Sequence, residues 1–335
     1  MPRTGKSNGL TDVAGLWLGH HTDLKAASGT SVIVCPDGAI AGVDVRGAAP
    51  GTRETDLLAP ENLVEQVQAV CLSGGSVYGL SAADGVVRQL ASQSIGFALD
   101  DRHVAPIVPA AVLYDLGRGI DFIPPVDATW GAAACNAAGP LEVSMGCVGA
   151  GTGAMSGGIK GGLGTASEVL ESGVTVAALA AVNSLGSTID PQRGTFWEAR
   201  LEIGEEFTGL RHEGVVLPPP PGGEPGKNTT LAVVATDATL TPTQAKRIAM
   251  MAHDGMARAI RPAHTMFDGD IVFCLATGKL PLPETPGFFA APAAQAVNLL
   301  GHAAADCLSR ASIRGILAAQ SVHHGLTAYR DLDAR

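Results

Sequence analysis

The chain has 335 residues, a hydrophobic fraction of 46% and 43 glycines, with aromatics at only 4%. This mix suits layers of strand and helix in close approach rather than a core wedged apart by large rings. A formal net charge of −10 excludes a protein built to grip nucleic acid, which needs clustered Lys and Arg. No run of about 18 apolar residues suggests a membrane span, and the opening MPRTGKSNGL lacks the apolar segment of a secretory signal.

In chain order, Ser31 to Val45 reads as a hairpin turning at Pro36-Asp37-Gly38. Leu63, Val64, Val67, Val70 and Cys71 fall at helical spacing after Pro60. Ser73-Gly74-Gly75 breaks that pattern, and a second helix is expected over 76–92. A Gly/Ala/Ser-rich passage from Val148 to Gly164 precedes a strand from Val174 to Asn183. Then comes VVLPPPPGGEPGKN, 215–228, whose prolines preclude a helix or a central strand. TTLAVVAT follows as a buried strand. The next helix has Thr241 as N-cap and Pro242 at its first position. A strand starts at Asp270, and an alanine-rich helical region runs from about Ala290. Strands and helices do not alternate strictly, so an α+β layered sandwich fits better than a doubly wound sheet.

The six cysteines, Cys35, Cys71, Cys135, Cys147, Cys274 and Cys307, share no C-x-x-C spacing and read as reduced thiols of a cytoplasmic protein. Gly74-Gly75-Ser76-Val77-Tyr78 misses the G-x-S-x-G elbow at Tyr78. The run GAGTGAMSGGIKGG is neither G-x-G-x-x-G nor Walker A. Histidines lack ligand spacing, and the pairs His20-His21 and His323-His324 would point to opposite sides of a strand. No metal and no cofactor is expected. Asn228-Thr229-Thr230 matches a glycosylation sequon, without consequence in a cytoplasmic chain. By composition alone 215–228 is a linker. A linker does not need the hydroxylic pair Thr229-Thr230 opening an apolar strand; a nucleophile released by chain cleavage does.

These residues resemble the DmpA-like self-processing serine/threonine aminopeptidases, a family that includes L-aminopeptidase D-esterases, β-peptidyl aminopeptidases and 6-aminohexanoate-oligomer hydrolases. The resemblance runs through Leu10-Thr11-Asp12-Val13-Ala14-Gly15, Gly42 to Gly47, Gly51 to Thr55, Leu72 to Ser76 and Val112-Leu113-Tyr114-Asp115. It continues through Asn183, Asn228-Thr229-Thr230 and Asp268-Gly269-Asp270. It implies an αββα four-layer sandwich, like N-terminal-nucleophile hydrolases but differently connected, formed as one domain over 1–335. It also implies self-cleavage between Asn228 and Thr229 into an α chain (1–228) and a β chain (229–335) that stay together, and a homo-oligomer of αβ units. The expected substrate is a small peptide or ω-amino amide, with neither nucleic acid nor membrane as partner.

The resemblance assigns roles residue by residue. Thr229 is the nucleophile, and its freed α-amine, with an ordinary pKa of about 7.7–8.0, is the general base. Asn183 contributes to the oxyanion hole. Read by itself, it is a strand-end asparagine bonding the next turn. Lys160 would hold the Thr229 amine deprotonated or orient the scissile carbonyl; in isolation it is a solvated loop lysine. Tyr114 would line the substrate pocket, or be an ordinary half-buried tyrosine. Asp268 and Asp270, two apart in extended chain, share a side and would contact the Thr229 amine and hydroxyl; the plain alternative is an Asp-Gly turn. The serine branch has a serine and a glutamate at these two places, so Asp-Gly-Asp with Asn-Thr looks more like the 6-aminohexanoate-oligomer hydrolases. Two rival functions stand beside the hydrolase. One is a self-cleaving N-acetyltransferase of the ornithine pathway, and the other a non-catalytic scaffold with 215–228 as linker.

Overall fold

The computed structural model describes residues 2–218, 228–282, 284, 292–321 and 325–335. Its long strands are β1 (Trp17–Asp23), β2 (Ser28–Val45), β4 (Gln66–Ser73), β10 (Gly162–Val169), β11 (Thr175–Val182), β12 (Leu231–Ala238) and β13 (Ile271–Leu280). Between them come the short β3 (Gly51–Arg53), β5 (Phe97–Ala98), β6 (Val104–Ala105), β7 (Ala110–Val112), β8 (Met155–Ser156) and β9 (Ile159–Lys160). The α-helices are α1 (Ala82–Ser92), α2 (Ala128–Asn136), α3 (Pro242–Ala259) and α4 (Ala294–Ala318). Most of the proline-rich stretch (219–227) and the His323-His324 pair lie outside the described residues.

Hydrogen bonding runs β10-β11-β12-β13-β2-β4-β7-β3, with β1 beside β2. The expected hairpin at Pro36-Asp37-Gly38 is one long strand instead. The register with β4 breaks between Val34 and Ala39, and the bend sends the two halves of β2 into different layers. Its first half pairs with β1 and its second with β13. The helix expected around Val67 is β4. Its apolar residues are continuous because both faces are covered: Val70 and Leu72 face one core, Ala69 and Cys71 another. Burial on two faces removes the alternation by which a strand is normally recognised.

Three cores separate four layers. In the first, Ile248 and Ala252 of α3 and Leu300 and Leu308 of α4 pack on Val176, Val234 and Val272 of the sheet. The second lies between the sheets, where Leu179, Val233 and Phe273 meet Leu18, Ile33 and Leu72. In the third, Val32 and Val34 receive Val86 and Leu90 of α1 and Trp130 of α2. This is the expected αββα sandwich. Small residues set its spacing: a Cβ on Gly131 of α2 would stand 1.8 Å from the Ala82 carbonyl oxygen of α1, and one on Gly255 of α3 would stand 1.9 Å from that of Ala305 in α4.

The remaining elements follow their sequence signals. Thr241 caps α3 in a capping box with Gln244, with Pro242 at the first turn. All six cysteines are free, and Cys147 alone is not buried. Among the described residues no helix is long and apolar enough to cross a membrane.

Candidate active site

Strand direction gathers the site. β12 and β13 are parallel, so their first residues reach the same end of the sheet, and a parallel bridge extends the pairing back to Asn228 and Asp268. β11 is antiparallel to β12, so its last residues arrive at that end too, carrying Asn183. Tyr114, just beyond β7, closes the assembly: its carbonyl accepts a hydrogen bond from Asn183 Nδ2 at 3.0 Å.

The Asn228-Thr229 peptide bond lies at the base of a cleft of about 220 Å³ lined by Ala49, Pro50, Gly51, Ser76, Val77, Val112 and Tyr114 as well. Both residues are almost wholly buried. Thr229 Oγ1 donates to the Asn228 carbonyl oxygen at 2.5 Å. The same oxygen accepts from Gly269 N–H at 3.2 Å, and Thr229 N–H donates to the Asn183 carbonyl at 2.6 Å. A Cβ on Gly269 would stand 2.8 Å from Thr229 Oγ1 and 2.6 Å from the Ala49 carbonyl oxygen, so only glycine brings this N–H so close.

Asn183 is fully buried and its amide is oriented by its partners. Oδ1 accepts from Arg118 at 2.5 Å and from Met155 N–H at 3.0 Å. Both are donors, so Nδ2 is turned the other way, with one hydrogen on Tyr114 O and the second available. Arg118 also donates to the Gly153 carbonyl at 2.6 Å, and burial lowers its pKa to about 10.

Asp268 and Asp270 stand beside Thr229 in the fold, but their carboxylates bond other groups. Asp268 accepts from Thr265 N–H and hydroxyl at 3.0 and 2.5 Å and from Leu185 N–H at 3.3 Å. Burial first, and then the Asp270 charge, hold its carboxyl above the usual range against the Thr265 bonds. Asp270 accepts from Thr230 N–H at 2.8 Å through Oδ1 and from His264 through Oδ2. Asp270 therefore braces the residue after Thr229, and Asp268 ties the turn at Thr265 to Leu185.

Lys160 is fully buried, not solvated. Its ammonium donates to the carbonyls of Gly151, Ala154 and Gly161 at 3.0, 3.0 and 2.7 Å, and burial brings its pKa to about 8. These bonds fasten the loop that supplies Gly153 O to Arg118 and Met155 N–H to Asn183. The contact of Lys160 with the site thus runs through that loop. Sequence reasoning missed Arg118, Gly269 N–H and His264. The glycine between two aspartates was the signal available for Gly269; Arg118 had none, its partner lying 65 residues away, and His264, six residues before Asp270, stood in no motif. A larger hollow, about 460 Å³ between 168–171, 200–203 and α4, holds none of the residues that the sequence singles out.

Comparison with known proteins supports the fold and the family. Residues 8–328 match peptidase family S58. An uncharacterized aminopeptidase of Mycobacterium tuberculosis (strain ATCC 25618 / H37Rv) is 47% identical over 344 residues, covering 97% of this chain and 98% of the relative. A 6-aminohexanoate-oligomer endohydrolase of Agromyces sp. (strain KY5R) is 31% identical over 300 residues, covering 85% and 79%. Among solved structures, a Burkholderia sp. beta-aminopeptidase superposes with a TM-score of 0.73 at 24% identity, over 100% of this chain and 92% of that one. The L-aminopeptidase D-Ala-esterase/amidase from Ochrobactrum anthropi, a variant of the Ntn hydrolase fold, gives 0.72 at 22%, with the same coverage. With an Ntn-hydrolase-type sandwich and a threonine at the base of its cleft, the chain belongs to peptidase family S58 and is a peptide or amide hydrolase.

Proposed function

We propose that the chain cleaves itself between Asn228 and Thr229 and then hydrolyses amide bonds of small peptides or ω-amino amides with the freed Thr229 as nucleophile. The observation that carries this reading is the Thr229 hydroxyl 2.5 Å from the Asn228 carbonyl oxygen, with Gly269 N–H on the same oxygen, inside a cleft.

In the first reaction Thr229 Oγ attacks the Asn228 carbonyl carbon. Negative charge gathers on the carbonyl oxygen, where Gly269 N–H meets it. The C–N bond breaks, the nitrogen takes the proton that Oγ lost, and an ester joins Asn228 to Thr229. Water hydrolyses it, leaving a carboxylate on Asn228 and a free amine on Thr229, hence chains 1–228 and 229–335. In the second reaction that amine, with an ordinary pKa of about 7.7–8.0, removes the Oγ proton at near-neutral pH. Oγ attacks the substrate carbonyl, Gly269 N–H and the free Nδ2 hydrogen of Asn183 receive the oxyanion, and the leaving amine departs with the proton. Water then releases the acyl group from Thr229. Asp268 and Asp270 position this centre by holding the backbone around it, and Lys160 does so by holding the loop behind Asn183. Tyr114 lines the acyl pocket. The αβ units are proposed to assemble as a homo-oligomer in the cytoplasm, without a cofactor.

Intact mass before and after Thr229→Ala tests the reading. Two fragments from the wild type, the smaller starting Thr-Thr-Leu, and one uncut chain from the variant are expected. A wild type that stays uncut yet hydrolyses amides would overturn it. An acetyl-transfer assay run beside the hydrolysis assay separates the hydrolase from the acetyltransferase.

A further inference from the structure

His264 stands four residues before Asp268, in the connection between α3 and β13. Its backbone is left-handed, with φ of 56°, a conformation uncommon outside glycine. Something must hold it there, and that something is Asp270. Oδ2 of Asp270 accepts from both the backbone N–H and ring Nδ1 of His264, each at 2.9 Å, while Oδ1 accepts from Thr230 N–H at 2.8 Å. The carboxylate is thus a rigid bracket between the imidazole and the residue directly after the nucleophile. A second imidazole, His253 of α3, meets the His264 ring nearly edge-on, with centroids 4.8 Å apart and planes at 76°. His253 is itself tied by Nε2 to the Asp44 carbonyl at 3.0 Å. The His264 ring is therefore packed on one side and hydrogen-bonded on the other, with Nδ1–H donating to the carboxylate.

Building on the proposed Thr229 chemistry, we propose that His264 is a positioning residue for the nucleophile, acting through Asp270 on Thr230. A carboxylate oxygen bonded by one donor rather than two can rotate about its Cβ–Cγ bond. Thr230 N–H would follow Oδ1, and the Thr229 hydroxyl would leave its place beside the Asn228 carbonyl. Displacements of about 1 Å in such a contact can cost on the order of 10²-fold in rate, so the ring donor governs the speed of chain cleavage rather than whether the protein folds.

Two substitutions in the full chain separate the donor from the backbone geometry. Asparagine tolerates a left-handed backbone and keeps an N–H near the position of Nδ1; glycine keeps the backbone and removes the donor. The rate of cleavage at Asn228-Thr229 is read by intact mass in freshly purified protein, with folding checked by circular dichroism. His264→Gly is expected to slow cleavage about tenfold or more, and His264→Asn to restore it to within about threefold of wild type. If glycine yields no folded protein, His264→Ala, whose side chain has no donor, takes its place. Cleavage by the donor-less variant at the wild-type rate overturns the proposal, and so does an asparagine variant as slow as glycine. A wild type that does not cleave at all would instead overturn the proposed self-cleavage, and the mass of the wild type tells the two failures apart.

Discussion

A carboxamide assists an oxyanion only when its nitrogen, not its oxygen, faces the reacting carbonyl. At Asn183 that choice is made by two donors on Oδ1, the Arg118 guanidinium and Met155 N–H. In the proposed oxyanion role, Asn183→Ala is expected to lower kcat by about 10²–10³. Arg118→Met removes one of the two donors that fix the amide while leaving Nδ2 in place, so kcat should fall about tenfold with KM nearly unchanged. Steady-state amide-hydrolysis kinetics checks both, and an Arg118→Met variant with wild-type kcat would show that Met155 N–H alone suffices. Thr229 stood out in the sequence as a hydroxylic residue opening an apolar strand after a proline-rich stretch, whereas Asn183 was singled out by the family resemblance. Arg118 was not: it lies 65 residues from its partner, on a loop whose return path only the folded chain defines.

The element that carries much of this orientation is the loop 151–161, and Lys160 is its fastening. Three carbonyls converge on one fully buried ammonium. Lys160→Met would leave all three without that donor in a buried setting, a loss expected to cost about 3 kcal/mol or more. The same change should lower kcat, because Met155 N–H and Gly153 O belong to the freed loop. Urea unfolding gives the first quantity and kinetics above the stability limit the second; a variant destabilised yet fully active would detach Lys160 from the site. Elements that obey one rule at a time were legible, such as β12, β13 and α3 with its capping box. Two others were not. β4 is buried on both faces and lost its alternation, so Val67, Val70 and Cys71 matched a helical period by coincidence. In β2, Pro36-Asp37-Gly38 carries turn chemistry, yet β4 pairs on both sides of it, and a bend satisfies the backbone where a hairpin would have reversed it.

Across the whole molecule, two histidines in different layers store a pH dependence of stability. His20, on β1, bonds Ser31 Oγ through Nδ1 at 2.9 Å; His253, on α3, bonds the Asp44 carbonyl. Burial depresses both to about 4, against the weaker opposing pull of Glu142 on the first and of Asp44 on the second. An unfolded imidazole takes its proton near 6.5, so between about 6.5 and 4 the unfolded chain binds protons that the folded chain refuses. Stability from these residues is complete above 6.5 and is lost as pH falls through that window, by at most about 1.4 kcal/mol per pH unit for each ring. Buried acids act with the opposite sign: burial raises Asp115 and Asp268, so their contribution is greatest in acid and declines as pH rises. The wild-type profile mixes the two, and the informative quantity is the difference between it and the double variant His20→Asn, His253→Gln. These side chains keep a nitrogen toward Ser31 and toward the Asp44 carbonyl but do not titrate. Urea midpoints for the double variant should fall less steeply than those of the wild type from pH 6.5 to 4, and the two curves should run parallel above 7. Parallel curves throughout would mean that both imidazoles accept their protons without unfolding, through openings of the layers that the packed structure does not contain.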